Sequence, residues 1–187
     1  LLHETGQMGD VALATATGTP VDPGTMPVGA NPAGKIPALE RGDGCTLYDS
    51  RVICRYLADR RPGAGIYPPA PRLYESLTLE ATGDGIMDAA LLMRYEVSLR
   101  PEALRWDAWA EGQWSKIARA LDALEGRWMG HLAGPLCIGQ IAVASALGYL
   151  DFRFTERDWR PGRPGLSDWA ARIGQRPSVQ ATLPPAG

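Results

Sequence analysis

The sequence predicts a two-unit chain, a small mixed α+β unit over residues 1–66 followed by an all-α helical bundle over residues 67–187. Three observations lead there. Short alternating segments and an Arg41-Gly42-Asp43-Gly44 turn cluster precede residue 50, residues 62–71 hold four prolines and two glycines, and every periodic segment beyond them has helical spacing. A proline- and glycine-rich run of that kind separates independently packed units.

In chain order, Leu1-Leu2-His3-Glu4-Thr5-Gly6 has the form of a helix ending at a glycine cap, although nothing before it nucleates a helix. Residues 10–16 alternate Val11, Leu13 and Thr15 with small residues, which predicts a short strand. Residues 18–34 read as an irregular connection. Ile36–Glu40 and Thr46–Tyr48 flank the turn cluster and predict a hairpin. A helix follows at once, capped by Asp49 or Ser50, with Val52, Ile53, Tyr56 and Leu57 at helical spacing. Beyond the connector, helices are expected near 72–98, 104–129, 138–151 and 165–175. The segment Ile138–Leu150 is apolar nearly all round and should run through the centre of the bundle.

Composition narrows the function classes. The chain is 45% hydrophobic with 6 tryptophans, enough for a packed core without disulfides or metals. A net charge of -2 with interspersed signs leaves no basic stripe, which argues against a nucleic-acid partner. Cys45, Cys54 and Cys137 form neither a disulfide framework nor a zinc motif, so a reducing, cytoplasmic setting and no metal are expected. No apolar run has the length of a membrane span, so no membrane partner is expected either. His3 and His131 stand apart from any carboxylate or nucleophile, and Cys54 lies on the apolar side of its helix, so none is nominated for catalysis. The six tryptophans read as packing residues.

Three motifs go further. Asn31-Pro32-Ala33-Gly34-Lys35-Ile36-Pro37-Ala38-Leu39, then Leu47-Tyr48-Asp49-Ser50-Arg51-Val52-Ile53-Cys54-Arg55-Tyr56-Leu57, then Ile138-Gly139-Gln140-Ile141-Ala142-Val143-Ala144 occur in this order and spacing. Together they resemble the glutathione transferase family of bacterial, cytosolic type. Asp84–Ala89 and Gly148–Arg153 are also similar to a group of uncharacterised bacterial members. Two departures stand out. The helix-start box reads Cys137-Ile138-Gly139-Gln140 where the family has [ST]-x-x-D, so that buried helix start should be less well satisfied. The family's first strand and the following turn, which carry the Ser, Cys or Tyr acting on the thiol, have no counterpart, so the catalytic residue is unknown.

The resemblance implies a thioredoxin-like first unit, incomplete at its start, and a helical second unit. It implies glutathione as co-substrate and a cis Ile36–Pro37 peptide, where residue pattern alone favours a trans proline opening an edge strand. Ile36 would then pair its backbone with the cysteinyl part of the tripeptide. Asp49 would take the ligand ammonium and Ser50 its carboxylate at a helix N-terminus, beside their role as helix cap. Arg51 would reach the γ-glutamyl carboxylate and Lys35 the glycyl one, or both are simply solvated. Asp84 would reach the partner's ligand across a homodimer. Met87, Leu91, Arg94 and Tyr95 would line a pocket for a small electrophilic substrate, or serve as bundle core and surface. The implied enzyme conjugates glutathione to an electrophile. The alternatives are a glutathione-dependent disulfide reductase and a non-catalytic binding or assembly module. The sequence further predicts roughly 15–20 residues before Leu1, because a helix turn this short does not stand alone.

Overall fold

A computed structural model describes residues 1–184, so the last three positions of the predicted 67–187 unit lie outside the described residues. The chain divides into two units, Leu1–Tyr67 and Pro68–Gly187.

In the first unit, Thr5 N–H donates to the Leu1 carbonyl at 3.0 Å, while Gln7 N–H reaches Leu2 at 2.8 Å and Gly6 N–H reaches His3 at 3.2 Å. The last two bonds form a Schellman ending, and Gly6 sits at φ 67, where a side chain is strained. Gln7 is fully buried. Its amide donates to the Leu57 carbonyl and to Thr5 Oγ1, both at 2.8 Å, tying this turn to the helix that follows the hairpin.

The strand expected over residues 10–16 does not form. Met8–Asp10 is a 3₁₀ turn, Val11 after it is extended, and residues 11–16 have no ladder partner among the described residues. Alternation supplies strand propensity, but a strand is defined by a neighbour for its N–H and C=O groups, and the described residues supply none here. Leu13 is accordingly 75% exposed.

The hairpin is shorter than its pattern. Strands β1 (Leu39–Glu40) and β2 (Thr46–Leu47) pair antiparallel, with Leu39 opposite Leu47 and Glu40 opposite Thr46. Ile36 and Pro37 precede the ladder, since Pro37 has no N–H to contribute. Helix α1 (Ser50–Asp59) buries Ile53, Leu57 and Ala58. The Arg41 guanidinium lies 5.4 Å from the Tyr56 ring centroid and pairs with Asp43 at 2.8 Å, which couples the hairpin turn to α1.

The second unit contains α2 (Arg72–Ser98), α3 (Asp107–Ala123), a π-helical segment Leu124–Trp128, α4 (Met129–Leu132), α5 (Ile138–Arg153), α6 (Pro164–Gly174) and α7 (Pro177–Gln180). No strand occurs among its described residues. Helix α3 starts later than the predicted 104–129 because Glu102–Leu104 forms a separate 3₁₀ turn. The core joins Leu79, Ile86 and Met93 of α2 to Val143, Leu147 and Leu150 of α5, with Trp159 and Trp169 closing it. Helices α2 and α5 meet backbone to backbone. A Cβ on Gly83 would lie 2.7 Å from the Ala142 carbonyl carbon, so only glycine permits this approach.

Two expectations are corrected in this unit. The start of α5 is well satisfied, because Gln140 Oε1 accepts from Cys137 N–H at 2.6 Å while its amide donates to the Leu132 and Gly134 carbonyls. Trp106 is 65% exposed and does not pack. His131 is half-buried, edge-on to Trp128.

Candidate functional site

The loop before Pro37 is organised by Asn31. Its side chain is buried, donates to the Lys35 carbonyl at 2.8 Å and accepts from Ala33 N–H at 3.0 Å. This closes a tight turn and delivers Lys35 and Ile36 to the surface. The Ile36–Pro37 peptide is cis, as the resemblance implies, and Ile36 is 56% exposed. Among the described residues, no hydrogen bond falls on the Ile36 N–H or carbonyl. The backbone at Ile36 therefore offers one donor and one acceptor to an extended partner.

The hairpin then turns the chain back toward this point. The ladder ends at the Leu39–Leu47 pair, two residues after Pro37 on one strand and two residues before Asp49 on the other. The Tyr48–Asp49 peptide is also cis. Asp49 is the N-cap of α1, with Oδ1 accepting from Arg51 N–H at 3.1 Å and its own carbonyl receiving Ile53 N–H at 3.0 Å. Ser50 opens the helix half-buried, and Arg51 is exposed beside it. Lys35, Ile36, Pro37, Asp49, Ser50 and Arg51 thus belong to two short segments that the hairpin brings together. Chemically, an exposed backbone pair beside a helix N-terminus with a carboxylate and a hydroxyl suits a peptide ligand carrying both an ammonium and a carboxylate.

The other candidates lie on α2 of the second unit. Asp84, Met87, Leu91 and Tyr95 are half-buried and Arg94 is exposed. Their spacing places them along one side of the helix. Sequence reasoning did not single out Tyr149 and Arg153 of α5. Tyr149 is half-buried against the core, and burial is the largest effect pushing its phenol pKa up, with Arg153 and Arg94 opposing and Tyr95 adding to it. The visible signal was their separation of four residues, which puts both side chains on one helix face. At the far end of α2, Glu96 is buried. Its carboxyl accepts from Trp106 N–H at 2.8 Å and Arg100 Nε at 2.9 Å, and these partners hold its pKa below the usual carboxylate range. It ties down the α2–α3 connection. Among the described residues, no group of three or more His, Cys, Asp or Glu side chains converges to hold a metal, and no helix is long and apolar enough to cross a membrane.

Comparison with known proteins places the chain in a family. Residues 1–60 match the sequence profile of the glutathione S-transferase N-terminal domain, and residues 107–172 match that of the C-terminal domain. An uncharacterized GST-like protein of Escherichia coli (strain K12), YibF, is 36% identical over 160 residues, covering 83% of this chain and 78% of that protein. A glutathione transferase family member from Pseudomonas fluorescens Pf-5, solved with bound glutathione, is 47% identical with a TM-score of 0.96. That match covers 99% of this chain and 91% of the other. A Pseudomonas fluorescens Pf-5 family member with bound S-(propanoic acid)-glutathione is 46% identical at a TM-score of 0.91, with the same coverage.

Proposed function

The chain belongs to the glutathione S-transferase family, and we propose that it binds glutathione on its first unit and conjugates the thiol to a small electrophile. The observation that carries this reading is the juxtaposition of an exposed, unbonded Ile36 backbone with the Asp49-Ser50 start of α1. Ile36 holds the cysteinyl residue through a two-bond strand addition. Asp49 takes the γ-glutamyl ammonium, the helix start with Ser50 takes the adjoining carboxylate, and Arg51 reinforces it. Lys35 takes the glycyl carboxylate. The bound glutathione of the Pseudomonas fluorescens relative supports the ligand.

On α2, Met87, Leu91, Arg94 and Tyr95 receive the electrophile, and Asp84 reaches the ligand of a second copy in a two-fold dimer. In the reaction, the thiol gives its proton to solvent, the thiolate forms a C–S bond, and the leaving group departs with its electron pair. The rate gain comes from thiolate stabilisation and proximity. The protein works in the reducing cytoplasm, where its three cysteines stay out of disulfides.

The test is direct. Incubation with glutathione and an activated aryl halide should yield the glutathione conjugate by mass spectrometry faster than in buffer. Glutathione binding with no conjugate above background would reduce the protein to a binding module. Formation of oxidised glutathione with a disulfide substrate instead would make it a reductase.

A further inference from the structure

On the helical unit, the side of α2 carrying Met87, Leu91, Arg94 and Tyr95 continues onto α5 at Tyr149 and Arg153. The close approach of Gly83 to Ala142, and of Gly139 to Ser76 and Leu79, aligns the two helices in the same direction. Carried along that register, Tyr149 and Arg153 fall level with the turns of α2 that bear Leu91, Arg94 and Tyr95. Met87 and Tyr149 both pack partly against the core, leaving one side of each accessible.

The charge here is unbalanced. Neither Arg94 nor Arg153 has a carboxylate partner among the described residues. The neighbouring acids are engaged elsewhere: Glu96 with Arg100 and Trp106, and Asp151 with Arg160 at 2.8 Å and Trp159 Nε1 at 2.8 Å. Arg153 lies over the Phe152 ring, 4.1 Å from its centroid. It also sits in the last turn of α5, where a cation complements the helix dipole. Arg94 is a turn short of the end of α2 and has no such structural use.

We propose that this face binds small carboxylic acids, with the apolar body of the ligand against Met87, Leu91 and Tyr149 and its carboxylate between Arg94 and Arg153. The inference deepens the proposed function and rests on it: the electrophiles this protein accepts carry a carboxylate. Guanidinium groups suit that anion because they offer paired donors in a plane, and the two phenols supply further hydrogen bonds.

The test uses the full chain, with trans-cinnamate as probe and its neutral amide as control, each titrated calorimetrically. Cinnamate should bind about fivefold tighter or more, the scale of one charge-assisted hydrogen bond at a half-exposed site. The preference should shrink when salt is raised from ~50 mM to ~500 mM. In Arg94→Met/Arg153→Met the two probes should bind within about twofold of each other, with a thermal melt like the parent's as evidence of folding. Equal affinities in the parent protein, failure of both probes to bind, or a preference that survives the double substitution would each overturn the inference. A parallel titration with glutathione separates the two readings, because loss of glutathione binding sinks the proposed function whatever cinnamate does.

Discussion

Replacing Asp49 separates a helix cap from a ligand contact. Its Oδ1 accepts one backbone bond, from Arg51 N–H at 3.1 Å, at an exposed position. Asp49→Ala removes that bond and should cost about 1 kcal/mol of stability, a fall of roughly 2–4 °C in Tm for a chain of this size. Asp49→Asn keeps a good cap, so its Tm should stay within a degree or so of the parent. Both substitutions remove the charge assigned to the γ-glutamyl ammonium. A hydrogen bond to a charged group contributes about 1.5–3 kcal/mol, which converts to roughly 10–150-fold in Kd. Calorimetric titration of glutathione, alongside thermal melts, reads both quantities on the same samples. If Asp49→Asn binds glutathione as the parent does, Asp49 is a cap alone and the assignment is wrong.

Other outcomes follow from the same contacts. Gly83→Val should lose about 1–3 kcal/mol by forcing a side chain against the Ala142 backbone, whereas Gly148→Ala should be neutral or gain up to about 1 kcal/mol; thermal melts compare the two. Glu96 titrates below its unfolded value, so its contribution is fully present above the unfolded pKa and is lost as pH falls through the folded one. The Tm gap between the parent and Glu96→Gln should therefore be constant above about pH 5 and narrow toward acid; a gap independent of pH contradicts the assignment. Light scattering at micromolar concentration should give twice the chain mass, and a monomer would remove the role given to Asp84.

Some of this was legible in the sequence. The hairpin turn, the Asp49-Ser50 cap and the buried α5 are local signals, in which turn chemistry, capping and periodicity all act over a few residues. The Asn31–Leu39 motif gave the position of the Ile36 backbone. What could not be read there depends on partners distant in sequence. The Val11–Thr15 alternation predicts a strand, yet a ladder needs a neighbour that the described chain does not place beside it. Trp106 has a packing residue's composition and a connector's exposure, because Glu96 fastens the backbone N–H of that position and leaves the ring outside. The start of α5 is closed by a reciprocal box in which the Gln140 side chain accepts from Cys137 N–H and the Cys137 side chain faces the Gln140 N–H, a pairing that the weak capping tendency of a thiol does not announce. The grouping of Arg94 with Arg153 follows from the helix register set at Gly83, which no single-helix pattern contains.

The central claim is that glutathione lies along Ile36 and the start of α1. Amide chemical-shift mapping during a glutathione titration tests it most directly, because it reports each backbone N–H separately. The account predicts saturable shifts at Lys35, Ile36, Ser50 and Arg51 that follow one binding curve. Saturable binding that leaves the Ile36 and Ser50 amides unmoved would contradict it.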